Sequence, residues 1–282
     1  MKRLIIIAGP TAVGKTAHAV NLAMQLGTEV LSCDSRQFYR EMRIGVARPT
    51  DDELHAVPHH FIACRSVTEP YNIYDYHRDA STLLERLFQK HNAVIVVGGS
   101  GLYIDALLHG VSRLPDPSPE LRARLQQTPL EEKQSMLHNL DPDYFAQVDL
   151  KNPVRLQRAL EVCITTGKPY SQILTENEKK ETRGKWATEV QVLTLDRDML
   201  RERINRRVDN MITDGLLDEV RSLIPYRNLP TLNTVGYREM FPVLDGTKAL
   251  DDAIDEIKLN TWHYARKQLT WLRHHLNSST EI

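Results

Sequence analysis

The stretch Leu4-Ile5-Ile6-Ile7-Ala8-Gly9-Pro10-Thr11-Ala12-Val13-Gly14-Lys15-Thr16 organises the reading of the chain. Five apolar residues in a row, without polar alternation, fit a strand covered on both faces, as in a parallel sheet. The eight residues after it form a complete G-x-x-x-x-G-K-[ST] string. Gly14 to Leu26 then carries helical spacing, and Gly27 is placed to stop it. A strand before the string and a helix after it are the context a phosphate loop requires, and they set aside an accidental glycine-rich turn. Glycines let successive backbone N–H groups face an anion at a helix N-terminus. Lys15 adds a point charge, and the Thr16 hydroxyl suits Mg²⁺.

Working outward, Glu29 to Cys33 reads as a second short strand and Ala93 to Val97 as a third, with helical periodicity over Asp75 to Lys90 between them and over Leu102 to Leu108 after. Strands alternating with helices predict an α/β fold, a P-loop-type parallel sheet with helices on both faces and its site at the carboxyl ends of the strands. The composition changes at Leu114-Pro115-Asp116-Pro117-Ser118-Pro119, a connector. From there to about Lys185 only helical pieces are visible. They are Pro119 to Gln127, a second opened by Thr128 with Glu131 at capping-box spacing, and a third with Asn152 as N-cap, Pro153 in the first turn and Gly167 at its end. The strand pattern resumes at Val190 to Leu195, followed by helical stretches over Met199 to Leu223 and Ala249 to Leu276. The expected organisation is a core of residues 1–112 and 190–282 with a small all-helical insertion domain, 113–189.

The composition excludes several classes. With 282 residues, 41% apolar and 26% charged, the chain can bury a real core and is neither disordered nor a rod. Its 36 Lys and Arg against 37 Asp and Glu leave a formal charge of −1, so a polyanionic partner must be held by a local basic face. Cys33, Cys64 and Cys163 form no CxxC pair, which fits a reducing, cytoplasmic setting. The opening Met1-Lys2-Arg3 imitates a signal peptide, but its apolar run is too short, and no membrane span is expected. Pro58-His59-His60 with Cys64 fits no common zinc spacing.

Three further features bear on chemistry. The strongest strand ends in Gly98-Gly99-Ser100 rather than in an acid, and the acid follows strand two, in Asp34-Ser35-Arg36-Gln37-Phe38-Tyr39. By position alone, Asp34 serves equally as metal ligand, general base or turn former. Arg203 and Arg207, four apart, share a helical face, as a phosphate clamp or as a solvated face paired with Glu202 and Asp209. Ile257 to Thr280 has no Asp or Glu but has Lys258, Arg266, Lys267 and Arg273, with Trp262, Tyr264 and Trp271 interleaved. Such a stretch suits single-stranded RNA, or a C-terminal helix whose tryptophans face the core.

The ordered set of motifs closely resembles the bacterial tRNA dimethylallyltransferases. It comprises Gly9-Pro10-Thr11 to Lys15-Thr16; Asp34-Ser35 with Gln37 and Tyr39; Ile44-Gly45 with Ala47 and Pro49; Pro58-His59-His60; Gly98-Gly99-Ser100-Gly101-Leu102-Tyr103; Arg155 with Gln157-Arg158-Ala159-Leu160-Glu161; Gly236-Tyr237 with Glu239; and Arg266 through Thr270-Trp271 to Arg273. The match runs in order over nearly the whole chain. It implies transfer of a dimethylallyl group from dimethylallyl diphosphate to N6 of adenosine 37, in a tRNA anticodon stem-loop, with Mg²⁺ as cofactor. A monomer is the expected state, without the zinc finger appended to some eukaryotic relatives.

The resemblance makes Asp34 the base for a poorly nucleophilic exocyclic amine. It assigns the leaving diphosphate to Gly9, Pro10, Thr11, Ala12, Val13, Gly14, Lys15 and Thr16, helped by Ser100 and by at least one of Arg203 and Arg207. The flipped-out target base would present N6 to Asp34, and Gln37 would read the adenine. Implied tRNA contacts are Asp34, Ser35, Arg36, Gln37, Ser100 and Arg122; Val154, Arg155, Leu156, Gln157 and Arg158; Asn233, Thr234, Val235, Gly236, Tyr237 and Arg238; and Arg266, Lys267, Gln268, Leu269, Thr270, Trp271, Leu272 and Arg273. Val46, Arg48 and Val235 depart from the family pattern. The rival readings are a phosphate-loop kinase turning over ATP, a prenyltransferase acting on free adenine nucleotides, and a non-catalytic RNA-binding protein. The basic tail and the helical insert favour a macromolecular acceptor over the first two, and the loop with its acid disfavours the third.

Overall fold

A computed structural model describes residues 2–111, 113–178, 186–275 and 280–281. The elements in the first part of the chain are β1 (Arg3–Ala8), α1 (Lys15–Leu26), β2 (Val30–Ser32), α2 (Asp51–Ala56), β3 (His59–His60), α3 (Ile73–Lys90), β4 (Ala93–Gly98) and α4 (Gly101–His109). The helices α5 (Pro119–Gln127), α6 (Leu130–Leu140), α7 (Pro142–Phe145), α8 (Pro153–Thr166) and α9 (Tyr170–Glu178) follow. The chain then returns to the sheet with β5 (Ala187–Val192), α10 (Arg197–Thr213), α11 (Leu216–Ser222), α12 (Phe241–Leu244), α13 (Leu250–His275) and β6 (Thr280–Glu281).

Among the described residues the sheet has the order β3-β2-β4-β1-β5-β6, every pair parallel. Because side chains alternate across a strand, the apolar run of β1 serves two cores at once. Ile5 and Ile7 pack with Ala19, Val20 and Ala23 of α1 and with Ile95 and Val97 of β4. Leu4, Ile6 and Ala8 face the opposite core with Leu83, Leu84 and Leu87 of α3 and Val208 and Ile257 of α10 and α13. Register pairs Ala8 with Gly98, so the turns after β1 and β4 emerge side by side at the carboxyl edge.

Two compact units divide the chain: residues 1–108 with 184–282, and residues 109–183. The second unit holds its own core, built around Leu125, Leu137, Leu156, Ala159 and Leu160. Several local expectations shift. The insertion was expected at 113–189, but β5 begins at Ala187, where Ala187, Thr188 and Glu189 pair with Arg3, Leu4 and Ile5 without an apolar run to announce it. Thr128 does not open α6; it closes α5, its hydroxyl donating to the Arg124 carbonyl. The stretch Met199 to Leu223 is broken at Gly215, whose φ of 99° ends one helix and starts the next. Asn152, Pro153 and Gly167 bound α8 as expected. Residues 179–185, and Leu276 at the expected end of the last helix, lie outside the described residues. Among those described, no helix is long and apolar enough to cross a membrane.

Candidate active site

The turn between β1 and α1 has the backbone of an anion cradle. Ala12 and Gly14 take positive φ values of 66° and 104°, and no side chain caps the N-terminus of α1. The exposed dipole end and its free N–H groups are therefore available to an anion. Lys15 Nζ donates to the Pro10 carbonyl at 2.8 Å, inside the loop. Burial lowers its pKa to about 8, assisted by the Arg207 charge and opposed by the Asp34 carboxylate.

Two chambers of about 320 and 330 Å³ meet here. The polar one is lined by the loop from Thr11 to Thr16 together with Ser32, Gln37, Arg48, Glu53 and His59. The other, the more apolar of the two, sets Val46, Val208, Met211, Val235 and Ile257 beside Ser35, Arg36 and Thr261, under the loop from Asn233 to Arg238. Thr11, Asp34, Arg207 and Tyr264 line both. Asp34 is thus on the shared wall, its Oδ1 accepting the Arg36 N–H at 3.0 Å.

The two expected arginines line one open depression beside Ala12, with Arg206 and Asn210. Arg207 also reaches both chambers and faces Asp34, and burial holds its pKa below the usual guanidinium range. Arg203 donates to the Val13 carbonyl at 3.1 Å. The alternative pairing with Asp209 does not form, because Asp209 is bound by Lys258 at 2.6 Å. Ser100 accepts a long hydrogen bond of 3.4 Å from the Ser35 N–H.

Tyr264 was expected only as one of three aromatics on a basic helix, yet it alone of the three reaches the site. Although 43% of the residue is exposed, desolvation pushes its phenol up to about 12. Trp262 packs with Leu200 and Ile204, and Trp271 stacks on His275. Its signal was helical phase: Tyr264, Gln268 and Trp271 fall four and three residues apart, on one face.

Several of the expected RNA contacts are buried side chains. Tyr237 and Leu272 are core side chains. Leu156 is a core side chain of the helical unit. Gln268 is buried between two loops. Gln37 lines the polar chamber with its carboxamide oriented, accepting from the Ser32 hydroxyl and donating to the Ala47 carbonyl, which leaves one acceptor site and one N–H. Arg36 donates to the Thr231 carbonyl and Leu269 packs with the core of α10. Arg266, Lys267, Thr270 and Arg273 do face outward on α13, and Asn233 and Arg238 are exposed. In the helical unit Val154 and Arg155 are exposed, while the buried Glu161 gathers Arg122, Gln157 and Arg158.

Glu219 has no sequence motif to mark it. Its carboxylate on α11 accepts the N–H groups of Arg43, Ile44 and Gly45 and the Tyr237 hydroxyl. Glu239 likewise accepts from Gly236, Arg238 and Asn260. These two acids hold the loops on either side of the apolar chamber. The Pro58-His59-His60 segment is structural in its visible bonds: His60 meets Glu29 at 2.6 Å and His59 the Val57 carbonyl at 2.9 Å.

Comparison with known proteins identifies the family. A family model described as IPP transferase matches residues 37–275. The chain is 48% identical over 275 residues to a tRNA dimethylallyltransferase of Christiangramia forsetii, covering 96% of this chain and 90% of that one. It is 44% identical to tRNA dimethylallyltransferase 1 of Bacteroides thetaiotaomicron, covering 97% and 89%. Among solved structures, a tRNA isopentenylpyrophosphate transferase from Bacillus halodurans superimposes with a TM-score of 0.71 at 36% identity, covering all of this chain and 90% of that one. A eukaryotic dimethylallyltransferase acting on tRNA gives 0.81 at 26% identity, covering 96% and 70%. On these matches the chain belongs to the IPP transferase family and is an enzyme of the tRNA dimethylallyltransferase type.

Proposed function

We propose that the enzyme transfers a dimethylallyl group from dimethylallyl diphosphate to N6 of adenosine 37 in the tRNA anticodon loop, releasing diphosphate. The observation that carries this reading is the position of Asp34 on the wall shared by two chambers, one at the phosphate loop and a somewhat more apolar one beneath exposed loops. The diphosphate occupies the first and the flipped adenine enters the second, so the allylic carbon and N6 meet at Asp34. N6 attacks that carbon as its bond to the diphosphate oxygen breaks. The proton leaving N6 passes to Asp34, whose carboxylate is oriented by the Arg36 N–H.

Charge growing on the leaving oxygens is met by backbone N–H groups of the loop and by Lys15 and Arg207, all fixed before reaction. Ser100, at the turn after β4, offers a further hydroxyl. Thr16, Ser32 and Asp34 line the polar chamber with oxygen donors, a set that suits Mg²⁺. Thr16 would hold the ion, which when bound neutralises charge on the diphosphate. The exposed cations of α13 and α8 serve phosphates of the RNA backbone.

The test is direct. The protein is mixed with Mg²⁺, dimethylallyl diphosphate and an unmodified anticodon stem-loop bearing adenosine 37, and the RNA is read by mass spectrometry. A prenyl mass gain is expected, with kcat lowered about 10²- to 10⁴-fold in Asp34→Asn. Transfer to AMP, or ATP turnover, with no gain on RNA would overturn the reading.

A further inference from the structure

Gln268 lies in the middle of the basic stretch of α13 but on its other face. Arg266 and Thr270 are two residues away on either side, roughly 200° around a helix, and are exposed where Gln268 is 7% exposed. Its carboxamide spans the turns that follow β1 and β4. Oε1 accepts the Thr11 N–H at 2.8 Å, and Nε2 donates to the Gly99 carbonyl at 2.9 Å. The partners fix the orientation, since a flipped amide would set two donors and two acceptors against each other. The approach is so close that a Cβ on Gly99 would fall 2.2 Å from Nε2 and 3.0 Å from the Gly9 carbonyl. A carboxamide supplies the acceptor and the donor together, from one rigid planar group and without a charge.

We propose that Gln268 is a positioning residue for the diphosphate, setting the first turn of the phosphate loop against the Gly99-Ser100 turn, and makes no contact with RNA. By holding the Thr11 peptide in one orientation it fixes the start of the loop whose next N–H groups face the anion. Through Gly99 it also sets the distance from the loop to Ser100. Without it, the Thr11 N–H and the Gly99 carbonyl lose their partner, and the cradle relaxes toward other arrangements. The proposal rests on the assignment of the polar chamber to the donor.

The experiment compares the full-length protein with Gln268→Met, which removes both bonds at similar volume, and Gln268→Glu, which keeps the acceptor for Thr11 and loses the donor to Gly99. Inorganic diphosphate with Mg²⁺ is titrated calorimetrically, and binding of the unmodified anticodon stem-loop is followed by anisotropy. Gln268→Met is expected to weaken diphosphate binding about tenfold or more, the equivalent of one lost polar interaction. Gln268→Glu should fall between it and the parent, and stem-loop affinity should stay within about twofold in both. If Gln268→Met does not fold, Gly99→Ala, which displaces the carboxamide from the opposite side, carries the same expectation. Weaker stem-loop binding with unchanged diphosphate affinity overturns the proposal, as does no change in either. Because diphosphate itself is the probe, the outcome is independent of whether the prenyl group is transferred to RNA, which the transfer assay decides separately.

Discussion

Lys15 shows how one residue reports on its chamber. A buried ammonium with no bound anion loses its proton early, and desolvation brings Lys15 to about 8 from its ordinary 10.5. A bound diphosphate reverses that balance by adding negative charge beside the amine, so binding takes up a proton near and above pH 8. The Kd of dimethylallyl diphosphate should therefore rise as the pH climbs through about 8, following loss of charge from the free protein. Lys15→Arg, whose guanidinium stays charged throughout, should bind more weakly at pH 7 but with a flatter profile over the same range. Calorimetry in buffers of different ionisation enthalpy measures the proton uptake, and its absence near pH 8.5 would sink the account. Lys15 and Thr16 were legible because a phosphate loop is local: its glycines, lysine and hydroxyl are consecutive. Tyr264 was not, because only the fold brings it to the wall shared by the two chambers, beside residues far away in sequence.

At the scale of elements, the same distinction governs what the sequence showed. Strands buried on both faces, such as β1 and β4, announce themselves by apolar runs, and α8 by its cap, proline and terminal glycine. The start of β5 was missed because Ala187 to Glu189 are ordered by pairing with β1 rather than by burial. The face that α13 turns inward was misjudged for a similar reason. Its basic residues fit RNA, but Gln268 and Trp271 meet Gly99 and Gly101, and only the fold reveals that approach. Glu219 of α11 is the extreme case, a lone acid serving three consecutive N–H groups and the Tyr237 hydroxyl. Glu219→Ala would leave these donors in a partly buried site without an acceptor, costing about 3 kcal/mol of stability. Urea unfolding measures that loss. Because Gly45 and the Gly236 turn line the apolar chamber, the KM for the stem-loop should also rise, by more than the KM for the donor. Equal effects on both would make Glu219 a general stabiliser and nothing more.

At the scale of the whole molecule, the chain forms two compact units, and a division of tasks between them is testable. Residues 1–108 and 184–282 contain the phosphate loop, Asp34, Ser100, Arg207 and Tyr264, so the donor site is complete within one unit. Residues 109–183 have an independent core and carry Arg122, Arg155 and Arg158, but no residue of either chamber. A net charge of −1 gives the chain no general affinity for a polyanion, so RNA binding must be the sum of such local groups. Replacing residues 109–183 with a flexible Gly-Ser linker should therefore leave diphosphate affinity nearly unchanged. Stem-loop binding should weaken about tenfold or more, and the slope of log K against log salt should shrink by about 0.7 for each phosphate contact removed. Arg155→Ala in the full chain should reduce that slope by about one contact without changing the donor KM. Arg158→Ala should act differently, since it also strips a partner from the buried Glu161 and loosens the helical unit itself. If the excised protein bound the stem-loop as tightly as the parent, with the same salt slope, RNA recognition would rest entirely on α13 and the loops beside it.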